Sequence, residues 1–158
     1  MPRLSAPPVE LPNKVQDFVS TSRGEIMVVI HTAYAPNDAE WREYVEGVGS
    51  CDLETMRSIV ITDGGAPSAQ QRKAVNDLLG GRQVPGVVIS PSTFVRGVVT
   101  ALAWFNPGLK AFAPEDFGKA CQYLELSPSE IDEVWLTIDR LVEQLGNPDL
   151  RAIPKRPK

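Results

Sequence analysis

Apolar and polar positions along the chain switch repeatedly between a period of two and a period near 3.6, so strand and helix patterns follow one another. Two β-prone runs come first, 15–21 and 25–32, separated by Ser22, Arg23 and Gly24, which is a hairpin signal. In the second run Ile26, Val28 and Ile30 share one face while Met27, Val29 and His31 share the other. Apolar residues on both faces predict an interior strand. Asn37 followed by Glu40 has the spacing of a capping box, and Trp41, Tyr44, Val45 and Val48 recur at helical intervals up to Gly49. A helix over 38–48 is expected.

Residues 58–62, SIVIT, form a short apolar run closed by Asp63, Gly64 and Gly65, which fits a strand buried on both faces. Pro67 and Ser68 open the next helix, with Gln71 completing a capping box. Ala74, Val75, Leu78 and Leu79 are its expected inner face, and Gly80 and Gly81 its stop. The unit repeats: a strand at 87–90, then a helix from Ser92 to about Phe105, ended by Asn106, Pro107 and Gly108. A short strand follows at 109–112, and Pro114 with Glu115 and Asp116 opens a helix through about Leu124. Ser127, Pro128 and Glu130 begin a last helix, whose stripe of Ile131, Val134, Trp135, Ile138, Leu141, Val142 and Leu145 runs to Gly146. Such an order predicts an α/β domain with a mixed, mainly parallel sheet of four to five strands and packed helices.

The length of 158 residues suits one domain with its own core. Its expected extent is 15–146. The first 14 residues carry Pro2, Pro7, Pro8 and Pro12 and read as a tail. Residues 147–158, with Pro148, Pro154 and Pro157 beside Lys155, Arg156 and Lys158, read as a basic, solvated tail.

Over about residues 15–145 the element order, with the segment ITDGG at 61–65, resembles the STAS domain, named for sulphate transporters and anti-sigma-factor antagonists. It also resembles the related small bacterial domains akin to CRAL-TRIO lipid-transfer proteins. The resemblance implies a STAS-like fold and a non-catalytic regulatory interaction module with a protein partner, or alternatively a binder of a small lipid-like ligand. The interaction surface it implies lies at Asp63, Gly64, Gly65 and Ser68. In the antagonists a phosphorylated serine directly follows this aspartate; here Gly64 stands there, so that serine does not carry over. Ser68 reads as a helix cap.

Composition narrows the partners. Acidic residues outnumber basic ones, 20 to 16, and the basic residues are scattered, which argues against nucleic acid. No apolar run reaches the length of a membrane span, and no continuous apolar leader opens the chain, so a cytoplasmic protein without membrane insertion is expected. Cys51 and Cys121 have neither metal-ligand nor redox spacing and read as reduced structural thiols. No dinucleotide fingerprint, phosphate loop or nucleophile elbow occurs, and the single histidine, His31, sits in an apolar strand pattern as a satisfied core or edge residue. No catalytic residue, metal or cofactor is expected.

Two further features bear on binding. Ser92, Thr93 and Arg96 follow a strand's carboxyl end at a helix start, where free amides and a guanidinium suit a phosphate or carboxylate. The helix of 92–105 is apolar over most of its circumference, through Phe94, Val95, Val98, Val99, Leu102, Trp104 and Phe105. It is either buried within the domain or offers apolar surface to a partner protein, a second copy, or a lipid-like ligand, with Trp104 and Phe105 as anchors.

Overall fold

The computed structural model describes residues 11–91, 93 and 108–156. Strands β1 (Lys14–Thr21) and β2 (Gly24–His31) form the expected hairpin, with Thr21 opposite Gly24 and Lys14 opposite His31. Then come α1 (Asp38–Gly49), β3 (Arg57–Thr62), α2 (Ala69–Leu79), β4 (Gly86–Ile89) and β5 (Leu109–Phe112). After a 3-10 turn at Pro114–Asp116, α3 (Phe117–Tyr123) and α4 (Pro128–Gln144) complete the described elements. The sheet has five strands in the order β1-β2-β3-β4-β5; the β1 pairing is antiparallel and the other three are parallel. The helix expected over 92–105 lies outside the described residues, with Trp104, Phe105, Ser92 and Arg96 in it.

The two faces of β2 divide the core as its alternation predicts. Ile26, Val28 and Ile30 join Ile59, Ile61, Val87 and Ile89 under α3 and α4, packed against Phe117, Val134, Trp135, Ile138 and Leu141. Met27 and Val29 face the other way, toward α1 and α2, with Val48, Met56, Leu79 and Val84. Sequentially ordered parallel strands joined by right-handed crossovers place their helices on one face, which is why α1 and α2 share a layer. The terminal pair α3–α4 then covers the face left bare.

Local signals fix the helix starts. Asn37 with Glu40, Ser68 with Gln71, and Ser127 with Glu130 each form both bonds of a capping box. Three expectations need correction. Ala74 of α2 is exposed, because the inner face is set by Gln71, Val75, Leu78 and Leu79; the buried Gln71 amide reaches the Pro36 carbonyl at 3.2 Å and Asp38 at 3.1 Å. The segment opening at Pro114 begins as a 3-10 turn, its Asp116 amide donating to the Ala113 carbonyl at 2.9 Å, before α3 proper starts. Residues 150–153 are not a solvated tail: Ala152 is 0% exposed within the core, with Leu150 and Ile153 packed beside it. Small and apolar side chains between the prolines give that segment something to bury.

Candidate functional site

The carboxyl ends of β2 and β3 are tied into one corner. The Asp63 amide donates to the His31 carbonyl at 3.2 Å, and the Gly65 amide to the Thr32 carbonyl at 2.9 Å. Thr62 Oγ1 donates to the Gly65 carbonyl at 2.7 Å and accepts from the Gly64 amide at 3.2 Å. Both glycines are required. Gly64 has φ of +132°, and a Cβ on Gly65 would lie 2.2 Å from the Tyr34 carbonyl oxygen. The Asp63 carboxylate is engaged as well, since its Oδ1 accepts from the Ala152 amide at 3.0 Å and so ties the C-terminal segment across the strand ends. Ser68 caps α2 as expected. Tyr34, on the exit loop of β2, is 73% exposed beside this corner.

Beyond the ends of β4 and β5 a cavity of about 780 Å³ opens between α3, α4 and the C-terminal segment. Phe117, Cys121, Leu126, Ile131, Trp135 and Ile153 supply apolar walls, and Pro91 and Pro114 come from the strand exits. Phe117 meets the Trp135 ring edge-on at 4.9 Å between centroids, which fixes one wall. Arg151 and Lys155, both exposed, add two cations to the lining, against the single carboxylate of Glu115. Burial pushes the Cys121 thiol up to about 11, so while it stays buried in this wall little of it is thiolate and it reacts slowly.

The C-terminal segment alternates like a strand. Arg151, Ile153 and Lys155 line the cavity while Ala152 and Pro154 are buried between them. Beyond them, Arg156 bonds Asp139 of α4 at 3.3 Å and lies 5.6 Å over the Trp135 ring.

On the opposite face, His31 ends β2 inside a buried polar cluster. The expectation of a satisfied histidine is half right: His31 is 3% exposed, yet among the described residues its Nδ1 has no hydrogen-bond partner. Burial, then the neighbouring charge of Lys14, push its pKa down to about 4 against the opposing pull of Glu40. Lys14 is itself buried and its pKa lowered by that burial, with Glu43 and Glu40 opposing; its Nζ donates to Gln16 Oε1 at 2.6 Å. Glu40 accepts from the amides of Asn13 at 2.8 Å and Asn37 at 2.9 Å. No donor in this cluster reaches His31 Nδ1.

Of the residues expected to bind, Asp63, Gly64, Gly65 and Ser68 come together at the β3 exit, and Thr93 is exposed at a helical position beyond β4. Ser92, Arg96, Trp104 and Phe105 lie outside the described residues. The cavity was missed from sequence because its walls read as ordinary helix stripes and its cations as a solvated tail. The legible signal was Leu150, Ala152 and Ile153 interleaved with Arg151 and Lys155. Among the described residues no three His, Cys, Asp or Glu side chains are grouped to hold a metal ion, and no helix is long and apolar enough to cross a membrane.

These features define a class: a mixed α/β sheet with crossover helices on one face, a terminal helix pair on the other, and a cavity past its strand ends. Among solved structures the chain is similar to the crystal structure of an uncharacterized protein of the DUF3478 family from Shewanella loihica PV-4, described as having a SpoIIAA-like fold. Identity is 16% and the TM-score 0.53, over 75% of this chain and 99% of that one. The fold is therefore SpoIIAA-like, that is, of the STAS type. No protein-family model and no curated protein matches the chain.

Proposed function

We propose that this chain is a non-catalytic binding module for a small amphiphile, an aliphatic body carrying an anionic group. The cavity supports the reading: its volume falls within the roughly 300–1,000 Å³ usual for ligand sites, its walls are mostly apolar, and two of its three charged lining residues are cations. The aliphatic body packs against Phe117, Ile131 and Trp135, and the anionic group meets Arg151 and Lys155. The module works in the cytoplasm, where thiols such as Cys51 and Cys121 stay unpaired.

Gly118 makes the test clean, because it lines the cavity on α3 and a Cβ there meets nothing within 4 Å. Gly118→Phe fills the space without disturbing the fold and abolishes palmitate binding measured by native mass spectrometry. The double change Arg151→Glu, Lys155→Glu weakens palmitate binding roughly tenfold or more while leaving a neutral long-chain alcohol unaffected. Equal binding by the parent chain and Gly118→Phe, or no binding by either, sinks the reading.

A second reading, the regulatory interaction module that STAS-type folds suggest, draws support from Tyr34, exposed beside the Asp63–Gly65 corner. On this reading Tyr34→Ser reduces association with a protein partner or a second copy, followed by native mass spectrometry of material taken from its own cells. An unchanged assembly state would remove Tyr34 from that surface.

A further inference from the structure

The cavity and the β3 corner meet at one bond. Asp63 Oδ1 accepts the Ala152 amide at 3.0 Å, and the residues on either side of Ala152, Arg151 and Ile153, line the cavity. The segment is held at a second place, where Arg156 bonds Asp139 and covers Trp135. Between the two anchors lie Ile153 and Lys155 of the lining, in a stretch with no helical or strand ladder of its own.

We infer that residues 150–156 are a strap over the cavity and that Asp63 is its latch, a positioning residue that sets where Arg151 presents its charge to an anionic ligand. The inference rests on the ligand-binding reading above and gives its regulation. Loss of the Asp63–Ala152 bond loosens the ligand, and a bound ligand holding Arg151 and Lys155 keeps that bond closed, since coupling between two sites is reciprocal.

The geometry favours an oxygen acceptor at position 63 rather than a charge as such, because the donor is a neutral backbone amide. Asp63→Ala removes the acceptor, and Asp63→Asn keeps one. Cys121 lies 4% exposed in the same cavity wall and reports opening directly. With Cys51 changed to Ser as background, Asp63→Ala speeds maleimide labelling of Cys121 about fivefold, the factor that one net hydrogen bond represents. The same variant speeds hydrogen exchange of the Ala152 amide and weakens palmitate binding by a similar factor; Asp63→Asn returns all three close to the parent values. Arg156→Ala, which frees only the far anchor at a half-exposed side chain, also raises labelling and serves if Asp63→Ala fails to fold.

Parent-like labelling and exchange in Asp63→Ala overturn the latch, as does an Asp63→Asn variant that behaves like Asp63→Ala. Should the parent chain bind no palmitate, the ligand-binding reading falls and the regulatory part of the inference falls with it. Labelling and Ala152 exchange then still decide whether Asp63 latches the strap.

Discussion

Glu130 and His31 are buried at opposite ends of the sheet and treated in opposite ways. At the amino ends of the strands, Glu130 lies between Arg57, which opens β3, and Arg23, in the β1–β2 turn. Its Oε2 accepts from Arg57 at 2.8 Å, and its Oε1 accepts from Arg23 and from the Ser127 amide at 2.9 Å. Each oxygen is satisfied, and the carboxyl group, held first of all by Arg57, stays charged far below the usual carboxylate range. At the carboxyl end of β2, His31 is as deep but neutral, with no partner for Nδ1 among the described residues. The amino end is a finished polar network that joins α4 to the hairpin and to β3. The carboxyl end forfeits stability where the strand exits, the corner and the cavity lie, and in open α/β sheets that is the end where ligands sit.

The sharpest way to break this contrast is Glu130→Ala. It leaves the buried Arg57 guanidinium without its counter-ion and opens the α4 capping box, so stability in urea falls by about 3–5 kcal/mol. A loss below about 1 kcal/mol would mean that the network is ornamental.

Acid separates the two ends next. Because the folded pKa of His31, about 4, lies below its ordinary 6.5, an unfolded chain takes up a proton that the folded one refuses. The stability tied to His31 is whole above pH 6.5 and is lost as pH falls from 6.5 to 4, by about 3 kcal/mol. His31→Leu removes this loss, and at pH 7 it is neutral or stabilising because an orphaned polar atom leaves the interior. Glu130 acts in a lower window: its folded pKa is depressed below the ordinary 4.5, so its contribution is present above 4.5 and disappears as pH falls beneath it. Urea midpoints between pH 7 and 3 for the parent, His31→Leu and Glu130→Ala check both windows. Loss above pH 4.5 that persists in His31→Leu would assign the acid sensitivity elsewhere.

Arg23→Ala gives the smallest effect. Its side chain is 51% exposed, and water screens its pairing with Glu130, so about 0.5 kcal/mol is expected, while Arg57 keeps the carboxylate satisfied. A cost equal to that of Glu130→Ala would show that the network fails as a unit.

Much of the fold is written in short stretches of chain. The alternation of β2 assigned its two faces, and three helices begin at capping boxes visible as Asn37–Glu40, Ser68–Gln71 and Ser127–Glu130. Asp63, Gly64 and Gly65 stood out as a turn, and the turn is there. Less was legible wherever a partner is distant in sequence. Gln71 displaced Ala74 from an inner face because its amide found Pro36 and Asp38, 35 and 33 residues away. Arg57 in an apolar strand gave no sign that Glu130, 73 residues on, would neutralise it.

The sequence by itself determined the alternation of elements, their caps and turns, and which strands are buried on both sides, because these follow from interactions spanning a few residues. Only the tertiary structure decided that Ala152 would be drawn 89 residues back onto Asp63, turning an apparent tail into a cavity wall, and that His31 Nδ1 would be buried without a partner among the described residues. Hydrogen bonds across such separations depend on which surfaces the packed sheet brings together, and local periodicity holds no record of that.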